Sequence, residues 1–86
     1  MVEFKDHPKK PSIVLDGIEY ILPVFQWKLV KVIYERRQVS YAELAEMFSL
    51  TRASVANYIL LIKRQIKRLP IKNVYGWGYQ WSDPRI

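Results

Sequence analysis

A regular row of apolar residues between Arg52 and Pro70 constrains the fold of this chain more than any other feature. Its members recur every three or four residues, the spacing of one face of an α-helix: Val55, Ile59, Ile62, Ile66 and Leu69. Pro70 cannot continue a helix, because it lacks the backbone N–H and clashes with the preceding turn. The pattern predicts a helix over residues 52–69 with one narrow buried face and a basic outer face.

Two shorter segments with helical spacing precede this helix. Residues 23–37 begin with a proline, which suits the first turn of a helix, and place apolar and basic residues on opposite sides. Residues 41–48 follow Ser40, which with Glu43 forms the capping-box sequence of a helix start. Residues 49–51 then break the pattern. We therefore expect three helices, the last two joined by a short turn as in a helix-turn-helix.

The N-terminal part of the chain combines an irregular segment with a hairpin signal. Residues 1–11 are charged, include two prolines and lack periodicity, so we expect a flexible basic arm. Residues 12–22 hold two short apolar runs around Asp16-Gly17, which is a strong β-hairpin signal. We predict one domain over residues 12–86.

The C-terminal segment predicts a second hairpin over residues 71–82. Aromatic residues alternate there around two closely spaced glycines, Gly76 and Gly78. Glycine allows a sharp turn and a close approach of the backbone to its neighbours. The predicted fold is therefore α+β, with three helices between an N-terminal and a C-terminal β-hairpin.

The chain has a formal net charge of +6, and its acidic residues are concentrated in the first half. No acidic residue occurs between Met47 and Ser82. The same interval contains Arg52, Lys63, Arg64, Lys67, Arg68 and Lys72. Such asymmetry favours a polyanionic partner. The alternative is a solvated surface that charge keeps soluble.

Several function classes find no support in the composition. Without cysteine, the chain can form neither disulfides nor thiolate metal sites. His7 is the single histidine and lies in the expected arm, and no glycine-rich loop opens a helix to hold phosphate. We expect no enzymatic activity, no cofactor and no metal. The apolar runs are too short to cross a bilayer and no signal peptide is evident, so we expect a cytoplasmic or nucleoid-associated protein without membrane contact.

The C-terminal motif resembles that of a known family. Residues 71–79, I-K-N-V-Y-G-W-G-Y, are similar to the I-x-T-V-x-G-x-G-Y ending of the winged-helix effector domain of OmpR/PhoB-type response regulators, with Asn73 replacing the threonine. Residues 59–66 resemble the end of that family's recognition helix, and residues 15–17 and 22–30 its beginning. The resemblance spans residues 12–82. It implies a stand-alone winged helix-turn-helix without a receiver, whose third helix enters the DNA major groove and whose hairpin is the wing.

The chain also departs from that family. The long loop that the family places between its last two helices, used there to contact RNA polymerase, is replaced by residues 49–51. Leu60, Leu61 and Tyr75 stand where the family has basic residues that contact DNA. Those contacts cannot be transferred to this chain.

Other residues of the third helix are better candidates for contact with DNA. Asn57 lies opposite the buried row, and asparagine reads adenine; Arg52 and Ala53 complete the predicted base-reading set. The predicted backbone contacts are Thr51, Ser54, Lys63, Arg64, Lys67, Arg68 and Lys72. The predicted wing residues are Tyr75, Gly76, Trp77 and Gly78.

Two hypotheses about function follow. The first is a sequence-preferring protein that binds double-stranded DNA, a small transcriptional regulator acting as a homodimer or in tandem on repeated half-sites. The second is a winged-helix protein-interaction module, an adaptor or inhibitor of a transcription or DNA-packaging complex. Tyr58, Leu60 and Leu61 are expected to be exposed apolar residues, and they fit either thymine methyl groups or a protein partner.

Overall fold

The computed structural model describes residues 2–82 and has an α+β fold with three helices and two small antiparallel sheets. The elements follow the chain in the order β1 (Val2–Lys5), β2 (Ser12–Leu15), β3 (Ile18–Ile21), α1 (Val24–Arg36), β4 (Gln38–Ser40), α2 (Tyr41–Met47), α3 (Arg52–Gln65), β5 (Ile71–Val74) and β6 (Gly78–Trp81).

The first sheet has the strand order β1-β2-β3. The predicted hairpin is present: β2 and β3 join through Asp16 and Gly17, whose φ angles of 52° and 81° both lie in the left-handed region. Asparagine, aspartate and glycine adopt that region more readily than other residues. The local turn chemistry thus sets the register of this pair.

Strand β1 corrects the expectation of a flexible arm over residues 1–11 in one part, residues 2–5. Val2–Lys5 pair antiparallel with β2, from Val2 opposite Leu15 to Lys5 opposite Ser12. Phe4 anchors the strand, because its ring centroid lies 6.0 Å from that of Trp27 and 5.0 Å from that of Tyr34. Partial burial of alternate side chains therefore gives these residues a strand where the charged composition suggested none.

The second sheet has the order β4-β6-β5, with β6 at its centre. The predicted C-terminal hairpin forms from β5 and β6, which pair from Ile71–Trp81 to Val74–Gly78. Strand β4 was not predicted; it pairs with β6 between α1 and α2. This strand ties the C-terminal hairpin to the helical part of the chain.

The third helix is shorter than predicted. It ends at Gln65 rather than Leu69, because Ile66 leaves the helical region with φ −117° and ψ 88°. The Leu69 N–H then donates to the Ile66 carbonyl oxygen at 3.1 Å. Proline disfavours a helical conformation in the residue before it, so Leu69 cannot extend the helix to Pro70. The turn keeps both Ile66 and Leu69 buried.

The helices pack against both sheets around one apolar core, whose fully buried members include Ile13, Leu15, Leu29, Val30, Ile33, Val39, Leu44, Val55, Ile59 and Ile62. The free end of α3 is also held by a polar contact. The Gln65 side-chain amide donates to the Ile21 carbonyl oxygen at 3.0 Å, at the end of β3. The position of α3 is thereby defined relative to both sheets.

Local capping explains where α2 begins and how it turns into α3. The Ser40 hydroxyl accepts from the Glu43 N–H at 3.0 Å and the Glu43 carboxylate accepts from the Ser40 N–H at 3.3 Å, which confirms the capping box. Ser49 has a φ of 55°, and the Leu50 N–H donates to the Ala45 carbonyl oxygen at 2.8 Å. The chain therefore reverses within three residues.

Candidate functional site

The exposed side of α3 carries all three residues that the sequence suggested for base contact. Asn57 lies about 160° around the helix from buried Ile59, and Arg52 and Ala53 are exposed at the helix start. The arrangement leaves these side chains open to a ligand approaching α3 from outside.

The first turn of α3 is held by its own side chains. The Thr51 hydroxyl accepts from the Ser54 N–H at 3.1 Å and donates to the Ser54 hydroxyl oxygen at 3.0 Å. This is an N-cap, which satisfies one of the amides that the helix start leaves without an intrahelical partner. The Thr51 hydroxyl, which the sequence suggested as a contact to the DNA backbone, is therefore already used in capping the helix.

The predicted cations divide into two groups. Arg64 is exposed and Lys63 half-buried on α3, whereas Lys67 and Arg68 lie in the turn that follows the helix. Arg68 Nη1 is 3.8 Å from Asp16 Oδ2, in the turn between β2 and β3. Exposed pairs of this kind contribute little to stability. The pair nevertheless places Arg68 beside the first sheet rather than on the outer face of α3.

A groove of about 430 Å³ separates α3 from the C-terminal hairpin. Its lining comes from α2, α3, β5, β6 and the hairpin turn: Tyr41, Arg52, Ala53, Ala56, Asn73, Gly76 and Tyr79. Tyr41, Ala56 and Asn73 were not predicted as site residues. The helical spacing from Ala53 to Ala56 was visible in the sequence, but the meeting of α3 with β5 depends on tertiary packing.

Two tyrosines that line this groove pack edge to face. The ring centroids of Tyr41 and Tyr79 are 5.2 Å apart, with an angle of 84° between the ring planes. Burial raises the pKa of the Tyr79 phenol to about 12, and the neighbouring Tyr41 adds to the shift. The Tyr79 phenol therefore stays neutral to a more alkaline pH than an exposed tyrosine does.

The tip of the C-terminal hairpin projects an aromatic residue into solvent. Tyr75 is fully exposed and Trp77 is 41% exposed. Gly76 has a φ of 72°, and the Trp77 N–H donates to the Val74 carbonyl oxygen at 3.0 Å to close the turn. Gly78 lies in β6 beside Ser40, so the two glycines serve different purposes.

The three apolar residues that the sequence grouped as a possible protein interface differ in exposure and in position around α3. Tyr58 is half-buried, with its ring centroid 5.0 Å from that of Phe25. Leu61 lines a shallow depression with Tyr58, Ser54 and Asn57. Leu60 is about 100° around the helix from Leu61. It therefore belongs to another side of α3.

Relationships to known proteins give no further guide to the site. No protein-family model, no curated protein and no solved structure matches the chain. Within residues 2–82, no helix is long and apolar enough to cross a membrane. In the same range, no three or more histidine, aspartate or glutamate side chains are grouped so that they could hold a metal ion.

Proposed function

We propose that the chain binds double-stranded DNA with a preference for sequence, as a small transcriptional regulator with a winged helix-turn-helix. In this proposal α2 and α3 are the helix-turn-helix, α3 is the recognition helix and the β5–β6 hairpin is the wing. The observation that carries the proposal is the outer face of α3, which combines an exposed asparagine with cations and has no acid.

The dimensions and connections of the elements support this assignment. Helix α3 has 14 residues, about 21 Å of helix, and the B-DNA major groove is about 12 Å wide and admits one α-helix. The turn at residues 49–51 sets α2 against α3, and the two helices are in contact. Strand β4 joins the wing to the start of α2. The proposed relationship to the OmpR/PhoB-type effector domain rests on the sequence motif of residues 71–79.

The polar side chains on and near α3 have one of two roles in the proposed complex. Asn57 donates to and accepts from the edge of an adenine, and Arg52 donates to a guanine. Ser54, Lys63, Arg64, Lys67 and Lys72 contact phosphates and so fix the position of the domain without reading sequence. Tyr75 and Trp77 of the wing lie along the DNA backbone or in the minor groove. A homodimer, or tandem copies on repeated half-sites, would enlarge this small footprint.

Selection of bound duplexes from a random library tests the proposal, because it reports binding, sequence preference and half-site spacing together. The expected result is an enriched motif whose affinity falls steeply as salt rises, since phosphate contacts release counterions. The matched control is the double variant Arg64→Glu with Lys67→Glu, which should lose affinity for every duplex. Absence of binding to any duplex at low salt would refute the proposal.

One observation favours a second candidate function, that of a protein-interaction module in a transcription or DNA-packaging complex. Leu61 is 50% exposed and lines a depression with Tyr58. The Phe25 ring centroid lies 5.0 Å from that of Tyr58 and 5.3 Å from that of Phe48. Under this alternative, Leu61→Glu abolishes association with the partner, whereas Arg64→Glu leaves it intact. The alternative would be excluded if Leu61→Glu left the association intact and Arg64→Glu abolished it together with duplex binding.

A further inference from the structure

Three exposed side chains of α3 form an apolar row along one side of the helix. Ala53, Ala56 and Leu60 are spaced by three and four residues, so they lie along one helix face, and all three are exposed. Leu60 exposes 48% of its surface. We call these three residues the methyl strip. Ala53 and Ala56 also line the groove towards Asn73 and Gly76.

The methyl strip lies directly beside Asn57. Asn57 is four residues after Ala53 and three before Leu60, which makes it a neighbour of both on the helix surface. The outer face of α3 thus offers one bidentate amide next to a row of alkyl groups. The row has no hydrogen-bonding atom, so it cannot satisfy a donor or acceptor that it covers.

That chemistry selects among base pairs. In the major groove, the one apolar group on a base edge is the C5 methyl of thymine. A G·C pair presents only donors and acceptors there, and covering them with alkyl groups would leave them without partners. The small alanines also let the helix backbone come close to the base edges.

We propose that the methyl strip contacts thymine methyl groups and that the preferred site is A·T-rich, with an adenine under Asn57. This inference rests on the proposed function, because it specifies which duplex the same helix face prefers.

Charge favours DNA over a protein as the occupant of this strip. Arg52 precedes the strip and Lys63 and Arg64 follow it, and no acidic residue occurs from Met47 to Ser82. An apolar row bounded at both ends by cations matches a major groove, where base edges lie between two rows of phosphates. The exposed Leu61 lies about 100° around the helix from Leu60, on the other side of Asn57, with which it lines the neighbouring depression.

The test removes one methyl group at a time from the DNA. In the best duplex from the random-library selection, each thymine is replaced individually by deoxyuridine, and affinity is measured by fluorescence polarisation. At one or more positions near the adenine under Asn57, the wild-type protein should bind the uracil duplex about fourfold more weakly. At the thymine that Leu60 contacts, Leu60→Ala should bring the ratio of thymine to uracil affinity close to one. The matched variant Leu61→Ala should leave the ratio at that position unchanged.

Each result bears on a distinct part of the inference. Three results would overturn the role of the methyl strip while leaving DNA binding intact. They are equal binding of the thymine and uracil duplexes at every position, a selected motif made of G·C pairs, and an unchanged ratio of thymine to uracil affinity in Leu60→Ala. Failure to bind any duplex would refute the proposed function as well. The wild-type ratio needs no variant, so it stands even if Leu60→Ala folds poorly.

Discussion

Gly78 faces Ser40 across the β4–β6 pair so closely that a Cβ atom on Gly78 would lie 2.6 Å from the Ser40 Cα atom. The added Cβ atom would also lie 2.9 Å from the carbonyl carbon of Val39. These neighbours are main-chain atoms, so they cannot move aside without disturbing the pairing of the two strands. The absent side chain is therefore what allows β6 to reach β4.

We predict that Gly78→Ala lowers the free energy of unfolding by about 3 kcal/mol or more, because the added methyl group overpacks the contact between two strands. Gly76→Ala is the matched control. A Cβ at Gly76 meets no atom within 4 Å, and only the left-handed backbone opposes it, at about 1–2 kcal/mol. Urea denaturation of both variants measures the difference. Equal losses would contradict the close approach of β6 to β4.

We predict that Ser49→Gly stabilises the protein by about 0.5–1 kcal/mol. Ser49 has a φ of 55° at the turn between α2 and α3, and glycine adopts this region without the steric cost that a side chain adds. The control Ala42→Gly, at an exposed position within α2, should instead lose about 1 kcal/mol. Thermal unfolding of the two variants gives the sign in each case. A destabilised Ser49→Gly would show that the serine side chain outweighs the backbone strain.

We predict that the Tyr79 phenol reduces stability at high pH. Its folded pKa of about 12 lies above the ordinary value of 10.0, so the phenol is neutral in both states below pH 10 and costs nothing there. As pH rises from 10 towards 12, the unfolded chain ionises first and folding loses up to about 2–3 kcal/mol. Tyr79→Phe should lack this loss.

The measurement is the free energy of unfolding at pH 7.5 and pH 11 for wild type, Tyr79→Phe and the exposed control Tyr75→Phe. Tyr75→Phe removes a fully exposed phenol and Tyr79→Phe a buried one, so the comparison isolates the effect of burial. The free energy of unfolding should fall by the same amount from pH 7.5 to pH 11 in the wild type and in Tyr75→Phe, and it should fall less in Tyr79→Phe. Parallel behaviour of all three would contradict the shift.

Under the proposed function, two substitutions on and beside α3 should have different effects on DNA binding. Asn57→Ala removes a base contact, so it should cost about 1–3 kcal/mol on the preferred site and flatten the preference among sequences. Lys67→Ala removes a phosphate contact, so it should weaken all duplexes alike and lower the slope of log affinity against log salt by about one. Polarisation assays at several salt concentrations compare the two. A uniform loss with Asn57→Ala would exclude it as a base-reading residue.

Features encoded within a few residues were predictable from the sequence. The capping box of Ser40 and Glu43, the Asp16-Gly17 turn and the start of α3 at Arg52 each depend on neighbours in the chain, and each is present. The exposure of Asn57 followed from the helical period. These parts of the fold and of the candidate site needed no knowledge of tertiary contacts.

Features that depend on distant partners were not predictable in the same way. Strand β4 has three residues and exists because β6, some forty residues later, pairs with it. Strand β1 shows a short alternation of apolar and charged residues, but its burial depends on Trp27 and Tyr34. The contact of Arg68 with Asp16 and the place of Asn73 in the groove likewise arise only when the sheets and α3 meet.

The central place of β6 in its sheet affects how the C-terminal hairpin can respond to a ligand. Strand β6 bonds to β5 on one side and to β4 on the other, and β4 runs directly into α2. Swinging the hairpin would require breaking a ladder that also anchors a helix. A ligand that touches both α3 and the Tyr75 tip thus meets two surfaces whose separation is already set, and association consumes little conformational entropy.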